Sequence, residues 1–211
     1  MVSGSSIRIL TVDDHPLFRE GIAAVINSQK DMLLVAEAAT GGQALLRFRE
    51  HRPDLTLMDL RLPDMSGIEA SIALRGEFPD ARIMMLTTFE GDIDIRRALA
   101  AGARGYMLKS MPTADLVSAI RQVHAGVKRV PAQIVAQLAE HFEDDNLTER
   151  EVEVLRHIAG GNRNKNIAER LFIAEDTVKA HVKHIMCKLG ASDRTQAVAI
   201  GLRRGFIELG N

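Results

Sequence analysis

Five short apolar runs set the strongest limit on how this chain can fold: Ile7–Val12, Leu33–Ala38, Leu55–Met58, Ile83–Leu86 and Gly105–Leu108. Helical patterns separate them, near Pro16–Ser28, Gly42–His51, Ile68–Phe78, Asp92–Ala101 and Ala114–Ala125. Strands of this kind, without polar alternation, are buried on both faces, which requires a parallel sheet covered by helices. Five βα units in the first ~125 residues predict a doubly wound (βα)5 α/β domain. Met84, Met85 and Met107 lie in or beside these runs and read as core packing.

The polar residues fall at the ends of the runs. Asp13 and Asp14 follow the first, Asp59 the third, Thr87 the fourth and Lys109 the fifth. The carboxyl ends of the strands in an open parallel sheet line the ligand crevice, so three carboxylates, a hydroxyl and an ammonium converge on one edge. Clustered carboxylates repel one another and invite a hard dication with oxygen ligands, and Mg²⁺ suits such a set together with a phosphate oxygen. No glycine-rich phosphate loop follows the first run, which argues against a nucleotide site. The remaining reading is a carboxylate that is itself phosphorylated.

Val12-Asp13-Asp14-His15-Pro16, Leu57-Met58-Asp59-Leu60-Arg61-Leu62-Pro63-Asp64-Met65-Ser66-Gly67, Leu86-Thr87 and Gly105-Tyr106-Met107-Leu108-Lys109 resemble a two-component receiver domain over residues 7–125. The resemblance implies that Asp59 is the phosphoacceptor. It implies that Asp14 and Asp59 ligate Mg²⁺ with the main-chain carbonyl of Arg61, while Asp13 holds metal-bound water. Lys109 is implied to pair with the phosphoryl group, and Thr87 with Tyr106 to form the conformational switch. In that switch the Tyr106 ring turns inward from the surface as the Thr87 hydroxyl moves toward the phosphoryl group. Pro63 and Gly67 are implied to have a structural role in the loop. His15 reads as a surface or capping residue, and Arg96-Arg97 and Lys128-Arg129 as solvated basic pairs.

The 211 residues suffice for more than one domain, and charge divides them. Residues 1–146 hold 16 Lys/Arg against 20 Asp/Glu, and residues 147–211 hold 11 against 8, so a balance of −4 adjoins one of +3. Such asymmetry predicts two domains with different partners. Between them lie a weakly amphipathic segment, Pro131–Leu138, and the acidic stretch Glu140–Asn146, which reads as a solvated linker. The expected limits are therefore 1–125, a linker over 126–146, and 147–211. Cys187, the only cysteine, can form neither an intramolecular disulfide nor a cysteine-based zinc site, which fits a reducing cytoplasm. The opening residues read as a lead into a strand and not as a signal peptide, and no run approaches the ~18 apolar residues that span a bilayer. The expectation is a cytoplasmic protein with no membrane partner.

Thr148 and Glu151 form a capping-box pattern ahead of a helix carrying Val152, Leu155, Ile158 and Ala159, which Gly160-Gly161 ends. A second helix carries Ile167, Ala168 and Leu171, a third runs from about Glu175 to Leu189, and a fourth begins near Asp193. Short helices with tight turns predict a helix-turn-helix. On the third, Val178, Val182, Ile185 and Leu189 make one apolar stripe, while Asp176, Lys179, Ala180, Lys183, His184 and Cys187 point broadly the other way. A small residue between two lysines lets a helix enter a major groove. Arg163, Lys165 and Arg170 add to the basic region.

Leu147-Thr148-x-Arg150-Glu151, Asn164-Lys165-x-Ile167-Ala168, Thr177-Val178-Lys179-x-His181-Val182, Lys188-Leu189-Gly190 and Asp193-Arg194-Thr195-Gln196-Ala197 resemble the LuxR-type helix-turn-helix over 147–207. The two halves together resemble a NarL/FixJ-type response regulator. That resemblance implies DNA contacts from Lys165, Thr177, Lys179, Ala180, Lys183 and His184. Two departures stand out: Ala174 and Arg163 occupy positions where the family usually has a capping serine or threonine. A missing cap costs about 0.5–2 kcal/mol.

The expected function is a DNA-binding transcriptional regulator, not an enzyme, controlled by phosphorylation of Asp59. The implied partners are a sensor histidine kinase, double-stranded DNA, a second copy of the chain in the phosphorylated state and, as a further candidate, RNA polymerase. A phosphatase turning over small aspartyl-phosphate substrates is the rival; it leaves the helix-turn-helix unexplained. A DNA-binding protein without phosphorylation is a third reading, disfavoured by the five intact switch-site positions.

Overall fold

The computed structural model describes residues 6–88, 91–130 and 147–207. The expected amphipathic segment and acidic linker, 131–146, lie outside the described residues. Two compact units divide the chain.

The first unit alternates β1 (Ile7–Val12), α1 (Pro16–Asn27), β2 (Met32–Ala38), α2 (Gly41–His51), β3 (Leu55–Met58), α3 (Gly67–Glu77), β4 (Ile83–Thr87), α4 (Asp92–Ala100), β5 (Gly105–Leu108) and α5 (Thr113–His124). All strand pairs are parallel, in the order β2-β1-β3-β4-β5. Every residue of β3, β4 and β5 is buried, as unalternating runs require. β2 departs from the expectation: it is an edge strand, its middle is half-buried, and Leu33 is exposed. Ile9, Leu55, Leu57, Met84, Leu86 and Met107 form one core with Ile22 and Ile26 of α1 and Leu116, Ile120 and Val123 of α5. Each such side chain contributes about 1.5–3 kcal/mol on burial. After α5 the chain returns to the sheet, where Arg129 pairs in parallel with Gly105 at the β5 edge.

Helix starts follow local chemistry. Pro16 opens α1 at a position where its missing N–H costs nothing. Ser66 and Glu69 make a capping box on α3. Thr40 caps α2, and Asp64 adds two bonds there, accepting from Gly41 N–H and Gly42 N–H at 2.8 Å each.

The second unit holds α6 (Glu149–Ala159), α7 (Asn164–Leu171), α8 (Glu175–Leu189) and α9 (Arg194–Arg204), with residues 91–95 also counted in it. Val154, Leu155, Ile167, Val178, Ile185 and Ala197 form its core. The α6 capping box is present, and Lys188 closes on it: Glu151 Oε2 accepts from Thr148 N–H at 2.8 Å, Thr148 Oγ1 at 3.0 Å and Lys188 Nζ at 2.7 Å. Arg163 and Ala174, at the N-caps of α7 and α8, make no side-chain cap. Gly190 and Gly205 end α8 and α9 in the left-handed conformation that glycine adopts without strain.

Candidate functional site

The chain reverses its direction of travel across the sheet between β1 and β3, and ligands of open α/β sheets bind beyond the strand ends at that point. Ladder bonds just past the strands fix the polar residues there. Asp13 N–H donates to Ala38 O at 3.0 Å, Asp59 N–H to Val12 O at 2.8 Å and Lys109 N–H to Thr87 O at 2.8 Å. Gly67 lets the following loop pass close beneath: a Cβ on it would stand 1.9 Å from the carbonyl oxygen of Asp59. Its need for glycine is a close approach of two backbones.

Asp13 and Asp59 are 2% and 4% exposed, and Lys109 spans them. Its Nζ lies 2.5 Å from Asp13 Oδ2 and 2.8 Å from Asp59 Oδ2. The ammonium also sits 4.7 Å from the centre of the Phe18 ring, a cation–π contact. Burial raises the pKa of the Asp59 carboxyl above its ordinary value, against the lowering effect of Lys109. One ammonium cannot neutralise two carboxylates, so the cluster keeps a negative excess.

Asp14 is exposed, and its Oδ1 lies 2.6 Å from His15 Nδ1. His15 was expected at the surface or as a cap. It is exposed and stands at the N-cap of α1, but its side chain makes no cap bond and turns to the aspartates instead. Asp13, Asp14, His15 and Asp59 each offer one ligand atom, all within 4.8 Å of one another. Three of the four donors are carboxylate oxygens, a set that fits a hard divalent cation.

A cleft of about 410 Å³ opens on this cluster, lined among others by Asp59, Arg61, Thr87, Thr88, Lys109 and Ser110. Thr87, expected just after β4, is its last residue and is buried. Tyr106 requires a correction. Its ring was expected to begin at the surface, but the residue is 0% exposed. It pairs with Met85 of β4 on one side, and its N–H donates to Arg129 O at 2.9 Å on the other.

In the second unit the two faces of α8 fall as the periodicity dictates. Val178, Ile185 and Leu189 are buried and Val182 packs against the same core. Thr177, Lys179, Ala180, Lys183 and His184 are exposed, as is Lys165 of α7. Lys179 is not idle there: its Nζ donates to Asp176 Oδ1 at 2.9 Å, and that bond raises its pKa. A nucleic-acid phosphate would have to compete with Asp176 for it. The sequence reading missed Asp64 as a second cap on α2, Phe18 beneath Lys109, and the Lys188 bond to Glu151. All three join residues far apart in the chain, and no spacing rule signals them.

Residues 9–121 match the response regulator receiver domain family, and residues 145–200 match the bacterial regulatory proteins of the luxR family. The transcriptional regulatory protein LnrK of Bacillus subtilis is 36% identical over 94% of this chain and 98% of its own length. The response regulator protein VraR of Staphylococcus aureus is 36% identical over 96% of this chain and all of its own. Among solved structures, the response regulator ChrA of a heme-sensing two-component system is 32% identical, covers 96% of this chain and 100% of its own, and superposes with a TM-score of 0.58.

Proposed function

Because this chain belongs to the NarL/FixJ family of two-component response regulators, DNA-binding transcriptional regulators that join a receiver domain to a LuxR-type helix-turn-helix, we propose that Asp59 is its phosphoacceptor. The observation that carries this reading is the buried Asp59 carboxylate at the end of β3, 2.8 Å from Lys109 and open to the cleft. An Asp59 oxygen attacks the phosphorus of a phosphohistidine on a sensor kinase; the P–O bond forms as the P–N bond breaks, and the histidine leaves. Asp13, Asp14 and Asp59, with the main-chain carbonyl of Arg61, would hold Mg²⁺. The bound ion supplies charge neutralisation at the phosphoryl oxygens. Lys109 already bridges Asp13 and Asp59, so it follows the new charge on Asp59 with little movement. Thr87 and Tyr106 are the proposed switch residues, with the Tyr106 ring already buried before phosphorylation.

Lys165, Thr177, Lys179, Ala180, Lys183 and His184 are the proposed DNA contacts, with the small Ala180 letting α8 approach the bases. The proposed domain limits are 1–125 and 147–211, with 126–146 between; the pairing of Arg129 with Gly105 ties the start of that stretch to the receiver sheet. Phosphorylation raises the population of a homodimer that binds paired half-sites and meets RNA polymerase. The protein acts in the cytoplasm and does not turn over small phosphate substrates as an enzyme. Among the described residues no helix is long and apolar enough to cross a membrane.

The test is incubation with acetyl phosphate and Mg²⁺, read by intact mass. One added phosphoryl group is expected, with none on Asp59→Asn. Unchanged labelling of Asp59→Asn would refute the assignment.

A further inference from the structure

Two non-glycine residues of the described chain have left-handed backbone, Arg52 at φ 44° and Phe172 at φ 54°. That conformation crowds a side chain's Cβ against the backbone, and glycine or asparagine relieves it. The second unit uses glycine at its other left-handed positions, Gly161, Gly190 and Gly205. Arg52 has an internal reason to be what it is. Its guanidinium lies 4.1 Å from the centre of the Phe78 ring, which stacks on Phe48 at 4.9 Å. Phe172 has no comparable return, because it is 94% exposed, the most exposed of the large apolar residues described.

The turn itself does not need a ring. Its geometry is set by backbone bonds, Phe172 N–H and Ile173 N–H both donating to Ala168 O. Arg150 Nη2 donates to Leu171 O at 2.8 Å and fixes the same turn from α6. Ile173, next in sequence, supplies the packing onto the core. A large apolar side chain is thus held in water, on a backbone that disfavours it, by a turn that is rigid without it. Such a residue makes sense when the ring gains contact outside the chain.

The neighbourhood identifies the occupant. Phe172 lies between α7 and α8, with Lys165 and Arg170 before it and Lys179 and Lys183 after it, all exposed. In helix-turn-helix complexes the second helix enters the major groove by its N-terminal residues while the first crosses the backbone. The turn joining them therefore lies over the sugar–phosphate strand at the groove edge. We propose that the Phe172 ring packs on the deoxyribose face of that strand, as a positioning contact that carries no sequence information. This rests on the DNA-binding reading and adds an apolar contact to its polar set. Lysines track the phosphates, and the ring covers the apolar sugar between them.

The experiment uses the full chain phosphorylated with acetyl phosphate and Mg²⁺ and a labelled duplex selected by the phosphorylated wild-type protein from a random pool, with affinity read by fluorescence anisotropy across a salt series. Phe172→Asn and Phe172→Gly relieve the backbone and remove the ring. Each is expected to bind about tenfold more weakly, the loss of one partly buried apolar ring. The slope of log K against log salt stays unchanged, because no phosphate contact is lost. Their melting temperatures are expected to equal or exceed the wild-type value, and Phe172→Tyr to bind like the wild type. Wild-type affinity in Phe172→Asn would overturn the inference, as would a shallower salt slope. Lower melting of both Asn and Gly variants would make the ring a structural part of the turn and would overturn it as well. Unchanged affinity with impaired transcription by RNA polymerase would reassign the ring to a protein contact. If the wild-type protein selects no duplex at all, the DNA-binding reading fails, and that outcome is distinct from every one above.

Discussion

At the scale of the residue, Glu151 shows how one carboxylate couples distant parts of the chain. Burial alone would raise its pKa, but the bonds from Lys188 and from the Thr148 N–H and hydroxyl outweigh burial and lower it below the ordinary 4.5. A carboxyl with a lowered folded pKa contributes stability above its unfolded pKa and loses it as pH falls through the folded value. The stabilisation is therefore complete above about pH 4.5 and disappears in more acidic solution. Glu151→Gln keeps the shape and loses the charge. It is expected to melt lower near pH 7 by the equivalent of about 1.5–3 kcal/mol, the worth of charge-assisted hydrogen bonds. The gap should close on acidification below pH 4.5, and a gap independent of pH would show that the Lys188 link is not what Glu151 supplies. The capping box could be read from Thr148 and Glu151 three residues apart. The partner 37 positions away could not, because only the packing of α8 on α6 brings Lys188 to it.

At the scale of the element, the strands were the most legible feature. β3 and β5 occur at the expected residues, and β1 does too, because each is a largely apolar run that ends at a charged residue, β1 despite the exposed Arg8 within it. β2 was harder, since an edge strand tolerates exposed Leu33 and the run itself does not reveal which strands lie at the edges. The convergence of Asp13, Asp59, Thr87 and Lys109 was equally legible, as it follows from parallel strands ending at one side of the sheet. The burial of Tyr106 was not, since β5 is an edge strand and its residues do not reveal what lies beyond that edge. Among the helices, α8 begins at Ala174 with no side-chain cap. Ala174→Ser supplies a side-chain acceptor for the N–H groups of the first turn and is expected to stabilise this unit by about 0.5–2 kcal/mol. Thermal melting checks it, and a melting temperature equal to or below that of the wild type would mean that the first turn gains nothing from a hydroxyl at that position.

At the scale of the whole molecule, near-neutral net charge conceals a basic second half and an acidic first half, which carries the aspartate cluster. DNA affinity is thus expected to fall steeply between about 50 and 200 mM salt, and Lys183→Ala to reduce the logarithmic slope by about one. Ala180→Glu, which puts a carboxylate on the exposed face of α8, should abolish binding. Anisotropy titrations at several salt concentrations check these outcomes, and unaltered binding by both variants would place the DNA on another surface. The parallel pairing of Arg129 with Gly105 matters for anyone who cuts the chain. A receiver fragment ending at residue 125 loses the strand-like segment whose Arg129 carbonyl takes the Tyr106 N–H. It would present β5 as a bare edge of unpaired amides and carbonyls, the template on which sheets of separate molecules join. A fragment carried through residue 130 keeps that edge closed, so the two differ in their tendency to aggregate although they share every residue of the phosphorylation site.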